Sequence, residues 1–174
     1  MSVALTHFRL MARNNAYASQ RLYEACCGLS QPEFEAVRTN FFPSLRETLN
    51  HIWEVDRYYL DALKEEGAGL AVFDVPLLDT AEELKAVQAD TDSALIRFCD
   101  GLTEEDLDRQ VAQDRGKIGM FYETVANTLL HLFQHQIHHR GQVHAMLSGT
   151  SAAPPQLDEF FLAFDRHPEA QKLL

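Results

Sequence analysis

What the chain has least of is positive charge. Its 174 residues set 15 lysines and arginines against 26 aspartates and glutamates, a formal net charge of −11. Such a surplus repels phosphate backbones and anionic lipid, which argues against nucleic-acid and membrane-surface partners. Cysteine is also rare. Cys26, Cys27 and Cys99 contain no CxxC spacing and are too few and too irregular for a disulfide framework, which fits a reducing compartment. The adjacent Cys26-Cys27 pair reads as small core-lining residues near a helix end. No apolar run approaches the roughly 20 residues needed to span a bilayer. The first ten residues lack the basic region, apolar stretch and small-residue site of a secretory leader, so a cytoplasmic protein is expected. No internal repeat, low-complexity segment or linker divides the sequence, which predicts one domain over residues 1–174.

What is present is helical periodicity. Between Ala4 and Cys27, Leu5, Phe8, Met11, Ala12, Ala16, Ser19 and Leu22 recur at steps of three and four, with Gly28 placed as a C-terminal cap. A second helix is predicted from Pro43-Ser44 to about Glu66, ended by Gly67 and Gly69. A third starts at Thr80, where Thr80 and Glu83 form a capping box, and runs to Gly101; Thr103 marks a shorter start. Residues 109–119 suit a small hairpin or an extended excursion. The fourth long helix is expected from Phe121 to Leu147, and a short terminal one over Leu157–Phe164. Together these predict an all-α chain, a four-helix bundle. Its connections of about 15 residues exceed minimal bundle loops, so the chain crosses over rather than going simply up and down.

Histidine is over-represented, with 8 in all and four between His131 and His139. At about 100° per residue His131, His135, His138, His139 and Gln142 share one side of the fourth helix, while His144 projects elsewhere. His135 and His139 stand at i, i+4, about 6 Å apart along the axis, the separation at which two imidazoles bind one small cation. His131 and His135 have the same spacing, so geometry alone leaves the pair ambiguous. His51, near the start of the second helix, is a candidate third ligand, with Glu47 one turn earlier as a possible partner. Three neutral imidazoles leave a divalent ion its full charge and open coordination positions. Such an ion lowers the pKa of a bound water or thiol or polarises a carbonyl. His7 and His167 read as surface residues. Gly141 predicts close packing against a neighbouring helix, Arg140 an ion pair with an acidic residue or a dimer contact, and Gln142 an orienting hydrogen bond to a ligand.

The run His135-Gln136-Ile137-His138-His139-Arg140-Gly141-Gln142 resembles the HxxxHRGQ signature of the DinB/YfiT-like superfamily. The segment from His51 to Leu60 and the order of elements are similar to that family over nearly the whole chain. The resemblance implies a four-helix bundle with a long crossover, commonly a homodimer. It also implies a divalent metal, zinc or nickel, held by His51, His135 and His139. His138 then flanks the site and His131 stands behind it or is structural. The function implied is that of a metal-dependent enzyme acting on a small molecule, of the kind that uses a low-molecular-weight thiol for S-transfer or isomerisation. A metal-dependent hydrolase is the nearest variant. The contrasting readings are a non-catalytic, stress-associated metal-binding dimer and a purely structural bundle without metal.

Overall fold

A computed structural model describes residues 2–174. Four long helices dominate it: α1 (Val3–Cys27), α3 (Leu45–Lys64), α4 (Ala81–Gly101) and α6 (Val125–Leu147). Between and after them lie three short helices, α2 (Gln31–Glu35), α5 (Glu104–Leu107) and α7 (Pro168–Gln171), and a 3-10 turn at Gly69–Phe73. The expected all-α class is corrected by a two-stranded antiparallel sheet, β1 (Gln110–Asp114) with β2 (Met120–Thr124), in which Gln110 faces Thr124 and Asp114 faces Met120. Residues 109–119 thus form the first strand and turn of the hairpin anticipated there. The second strand takes residues assigned above to the fourth helix. That helix begins instead at Val125, where Thr124 Oγ1 accepts the Asn127 amide.

Each long helix packs on two others: α1 on α4 and α6, and α3 on α4 and α6. The apolar interior has two parts. One gathers Phe8, Tyr59, Leu63, Leu95, Leu129 and Leu132; the other gathers Leu22, Leu49, Ile52, Leu84, Val143 and Leu147. Along α1 and α6 the chain passes from the first part to the second, and along α3 and α4 from the second to the first. The parallel neighbours α3 and α4 therefore need a connection that runs back the length of the helices, and residues 65–80 supply it. Asp61 anchors its start by accepting the amides of Ala68 and Gly69 at 3.0 and 2.9 Å. Asn50 anchors its end through a reciprocal pair of bonds with the Leu78 backbone, 2.8 and 2.9 Å. The Thr80–Glu83 capping box then opens α4 as its sequence predicts.

A buried polar layer separates the two apolar parts, with contributions from every long helix. Asn15 of α1 donates to Asp92 of α4 at 2.8 Å, and Gln88 of α4 donates to Asp92 at 2.9 Å and to Asp56 of α3 at 2.8 Å. Arg140 of α6 donates to Asn15 and is 5% exposed. The guanidinium carries one positive charge against two buried carboxyls. Burial, reinforced by Asp92, pushes Asp56 up to about 7, and burial raises Asp92 to about 6 against the opposing bond from Gln88 and the charge of Arg140. A protonated Asp56 balances the layer's charge, against the opposing effect of Gln136 beside it. The Asp56 Oδ1 and both side-chain polar atoms of Gln136 have no hydrogen-bond partner among the described residues.

Two expectations near the termini are corrected. The C-terminal helix is Pro168–Gln171, not Leu157–Phe164. Arg166 takes the carbonyls of Phe160 and Phe161, and the His167 amide takes that of Glu159, so helical bonding does not form there. Phe160 is fully buried against Tyr17, their ring centres 5.6 Å apart, while Phe164 is exposed. His167 is half-buried rather than a surface residue; its Nδ1 caps α7 by accepting the Glu169 amide, and its Nε2 lies 2.8 Å from Arg21.

The polar layer makes two predictions. Arg140→Met leaves buried acid without its counter-charge and should cost about 3–5 kcal/mol, read by denaturant unfolding; a loss below about 1 kcal/mol would contradict the layer's role. Asp56 holds its proton more tightly folded than unfolded, where its pKa is about 3.9. Its stabilisation is therefore complete at acid pH and is lost as pH rises through the folded value. The melting temperature should fall from about pH 4 to about pH 7 and level off above it, and Asp56→Asn, which mimics the neutral acid, should flatten that fall.

Candidate metal centre

The same two turns of α6 that send Gln136 and Arg140 inward carry His135 and His139 one residue earlier, about 100° around the helix. These two face α3, where His51 lies one turn and a quarter before Asp56. The three side chains expected from the sequence do converge. One nitrogen from each of His51, His135 and His139 lies within 4.8 Å of the others, and His51 Nε2 is 3.0 Å from His135 Nε2. Three nitrogens at about 2.0–2.1 Å from one tetrahedral ion would stand about 3.3 Å apart, so the arrangement fits a divalent cation with little adjustment. Among the described residues no fourth histidine, cysteine or carboxylate joins them.

The protonation state suits ligation. Burial, then repulsion from His139, holds His51 down to about 4. Burial and the surrounding histidines hold His135 down to about 3. His139 is also lowered by burial, against the opposing bond to Gln142. All three imidazoles are neutral at pH 7, with no proton to displace before a cation binds. Gln142 Oε1 lies 2.7 Å from His139 Nδ1, which fixes the proton there and turns Nε2 toward the other rings. This is the orienting role expected of Gln142, exerted on a histidine.

The remaining sequence candidates separate cleanly. His138 is exposed beside Gln142, whose amide nitrogen is 3.3 Å away. His131 is exposed and sits edge-on to Tyr59, ring centres 5.1 Å apart. His144 bonds the Pro155 carbonyl at 3.0 Å. Glu47 makes no hydrogen bond to His51 among the described residues; its amide caps on Ser44 instead. Gly141 is exposed and a Cβ there would meet nothing within 4 Å, so the close-packing reading fails. Arg140 is buried in the core, where it donates to Asn15 and feels the charges of Asp92 and Asp56 without a direct ion pair to either.

Sequence reasoning missed the walls. Phe42 stacks on His51 at 4.3 Å and lies 5.8 Å from His139, so the loop before α3 covers one side of the rings. Its neighbour Phe41 is 80% exposed, so only Phe42 of the adjacent pair contributes to this cover. One cavity meets the triad at His135, and a second lies beside Gln142 and His138. The first, about 370 Å³, is bounded by His131, His135, Tyr58, Tyr59 and Arg115. The other, about 440 Å³, is bounded by Arg38, Asn40, His138 and Gln142.

Fold and triad together define a mostly helical protein with a three-imidazole cluster compatible with metal binding. The profile of the DinB family matches residues 1–170, and the chain belongs to the DinB family. Its fold is similar to that of a DinB-like protein from Bacillus cereus, with a TM-score of 0.62 and 18% identity over 80% of this chain and 90% of that one. It is also similar to a DinB-like protein from Bacillus subtilis, with a TM-score of 0.59 and 21% identity over 90% of this chain and 97% of that one. No curated protein matches the sequence.

The His139–Gln142 bond carries a prediction. Gln142→Ala should lower zinc affinity about 10- to 100-fold in a chelator-competition titration, and Gln142→Glu, which keeps the acceptor, should restore most of it. Equal affinity in wild type and Gln142→Ala would remove the orienting role.

Proposed function

We propose that this chain is a divalent-metal-dependent enzyme acting on a small molecule, of the type that transfers or isomerises with a low-molecular-weight thiol. His51, His135 and His139 would hold the ion, zinc or nickel by the imidazole donor set. An ion so held supplies positive charge and open coordination positions, which favour the thiolate form of a bound thiol. The observation that carries the reading is a cluster of three neutral imidazoles, without a fourth protein ligand among the described residues, with a cavity against His135. Such a cavity gives a reactant room beside the ion.

The chain's own thiols do not serve. Cys26 and Cys99 are buried and their thiols pushed up to about 12, and Cys27 is raised as well. A thiol nucleophile must therefore be a second substrate. Phe42 excludes water from one side of the rings, and Gln142 holds the His139 proton at Nδ1. In this reading the four long helices are the four-helix bundle of the DinB/YfiT type, and the protein is a cytoplasmic homodimer. No helix among the described residues is long and apolar enough to cross a membrane, and Leu130 and Ile137 leave exposed apolar surface on α6 for a second copy.

Elemental analysis of protein purified without added metal tests the first part. Wild type should carry stoichiometric divalent metal and His135→Ala/His139→Ala next to none; near-zero metal in both would end the metal reading. The metal-loaded protein, incubated with an electrophile and glutathione, bacillithiol or mycothiol in turn, should consume one of these thiols. Metal without turnover on any thiol would leave a hydrolase or a non-catalytic metal-binding protein.

A further inference from the structure

The cavity beside His135 contains a cation that the triad does not account for. Arg115 stands at the turn of the β1–β2 hairpin. Its Nη2 donates to the Tyr59 hydroxyl at 2.8 Å and to Gln113 Oε1 at 3.0 Å. Its guanidinium carbon lies 5.6 and 5.5 Å from the ring centres of Tyr58 and Tyr59. The supports are themselves fixed: Gln113 is buried and donates to Thr128 of α6 at 3.0 Å, and the Tyr58 hydroxyl donates to the Asp114 carbonyl at 2.6 Å. Arg115 is itself exposed, but its guanidinium is held by buried supports.

Every one of these partners is neutral. Among the described residues Arg115 has no carboxylate within ion-pair distance, whereas Arg13, Arg46 and Arg109 each have one. Among the described residues its Nε and Nη1 have no hydrogen-bond acceptor. Asp114, also on the cavity wall, has Oδ1 taken by the Gly116 amide. Besides His131 and His135, the rest of the lining is apolar and aromatic: Val55, Leu70, Phe73 and the two tyrosines that hold Arg115.

We propose that Arg115 binds the carboxylate of the enzyme's substrate, a small monocarboxylic acid whose apolar or aromatic body lies along Tyr58, Tyr59 and Phe73 and reaches the histidine triad. This rests on the reading of the triad as a metal centre and adds the substrate class. Guanidinium and carboxylate match as planar, bidentate partners. A single arginine near Asp114, in a chain of net charge −11, suits one negative charge better than the two of a phosphate monoester. The tyrosine faces and hydroxyl orient the guanidinium before the ligand arrives, which lowers the entropic cost of binding.

Calorimetric titration of benzoate and its neutral analogue benzamide tests this, with zinc-loaded and zinc-free protein, in wild type, Arg115→Gln and Arg115→Lys. Benzoate should bind wild type at least about tenfold tighter than benzamide. Arg115→Gln should erase that preference with zinc affinity and melting temperature unchanged, and Arg115→Lys should keep part of it. Equal binding of the two probes, no measurable benzoate binding, or an undiminished preference in Arg115→Gln would each overturn the proposal. Zinc binding without the preference removes the carboxylate site alone. A preference dependent on Arg115 in a protein that takes up no zinc removes the metal centre and leaves the carboxylate site standing.

Discussion

Arg140 brings a charge into the middle of the protein, and the placement of the four long helices follows from how that charge is met. Asn15 of α1 accepts from it and passes a bond to Asp92 of α4, Gln88 links Asp92 to Asp56 on α3, and Gln136 stands one turn along α6 beside Asp56. A hydrophobic contact tolerates a sliding helix; a buried charge with its partners does not, because a shift of one turn leaves desolvated groups unpaired. The apolar clusters on either side supply the bulk of the burial, while the polar layer between them sets which residue stands opposite which.

The triad inherits that register. His135 and His139 each precede a member of the layer, Gln136 and Arg140, so the layer and the site are adjacent stripes of one helix. On α3, His51 and Asp56 play the corresponding parts. Fixing Asp56 opposite Gln88 and Gln136 brings His51 opposite the two histidines of α6. Phe42 and the hairpin then close the site from opposite ends of the chain's connections, and they carry the groups that face the flanking cavities.

This division explains what could be read in the sequence. Helix periodicity gave away all four long helices and the Thr80 capping box the start of the third, but the Thr124 cap went unread, so the fourth helix was started four residues early, in the second strand. The triad was legible as well, since i, i+4 spacing is a local property, although choosing His139 over His131 needed the HRGQ resemblance. Arg140 was harder: its neighbours Asn15 and Asp92 are distant in sequence, so burial could not be told from a surface ion pair. The terminal segment misled because Phe160, Phe161 and Phe164 mimic a helical face, whereas only Phe160 is buried and Arg166 takes the carbonyls a helix would use. Arg115 gave no signal at all, because its tyrosines come from a helix more than fifty residues away.

The central claim is that three imidazoles, tuned neutral by burial and aligned by the polar layer, bind one cation. X-ray absorption spectroscopy of the zinc-loaded protein addresses it directly. The account predicts three imidazole nitrogens at about 2.0–2.1 Å, with His135→Ala losing one of them. A shell made of oxygen alone, or containing thiolate sulfur at about 2.3 Å from the protein's own cysteines, would contradict it.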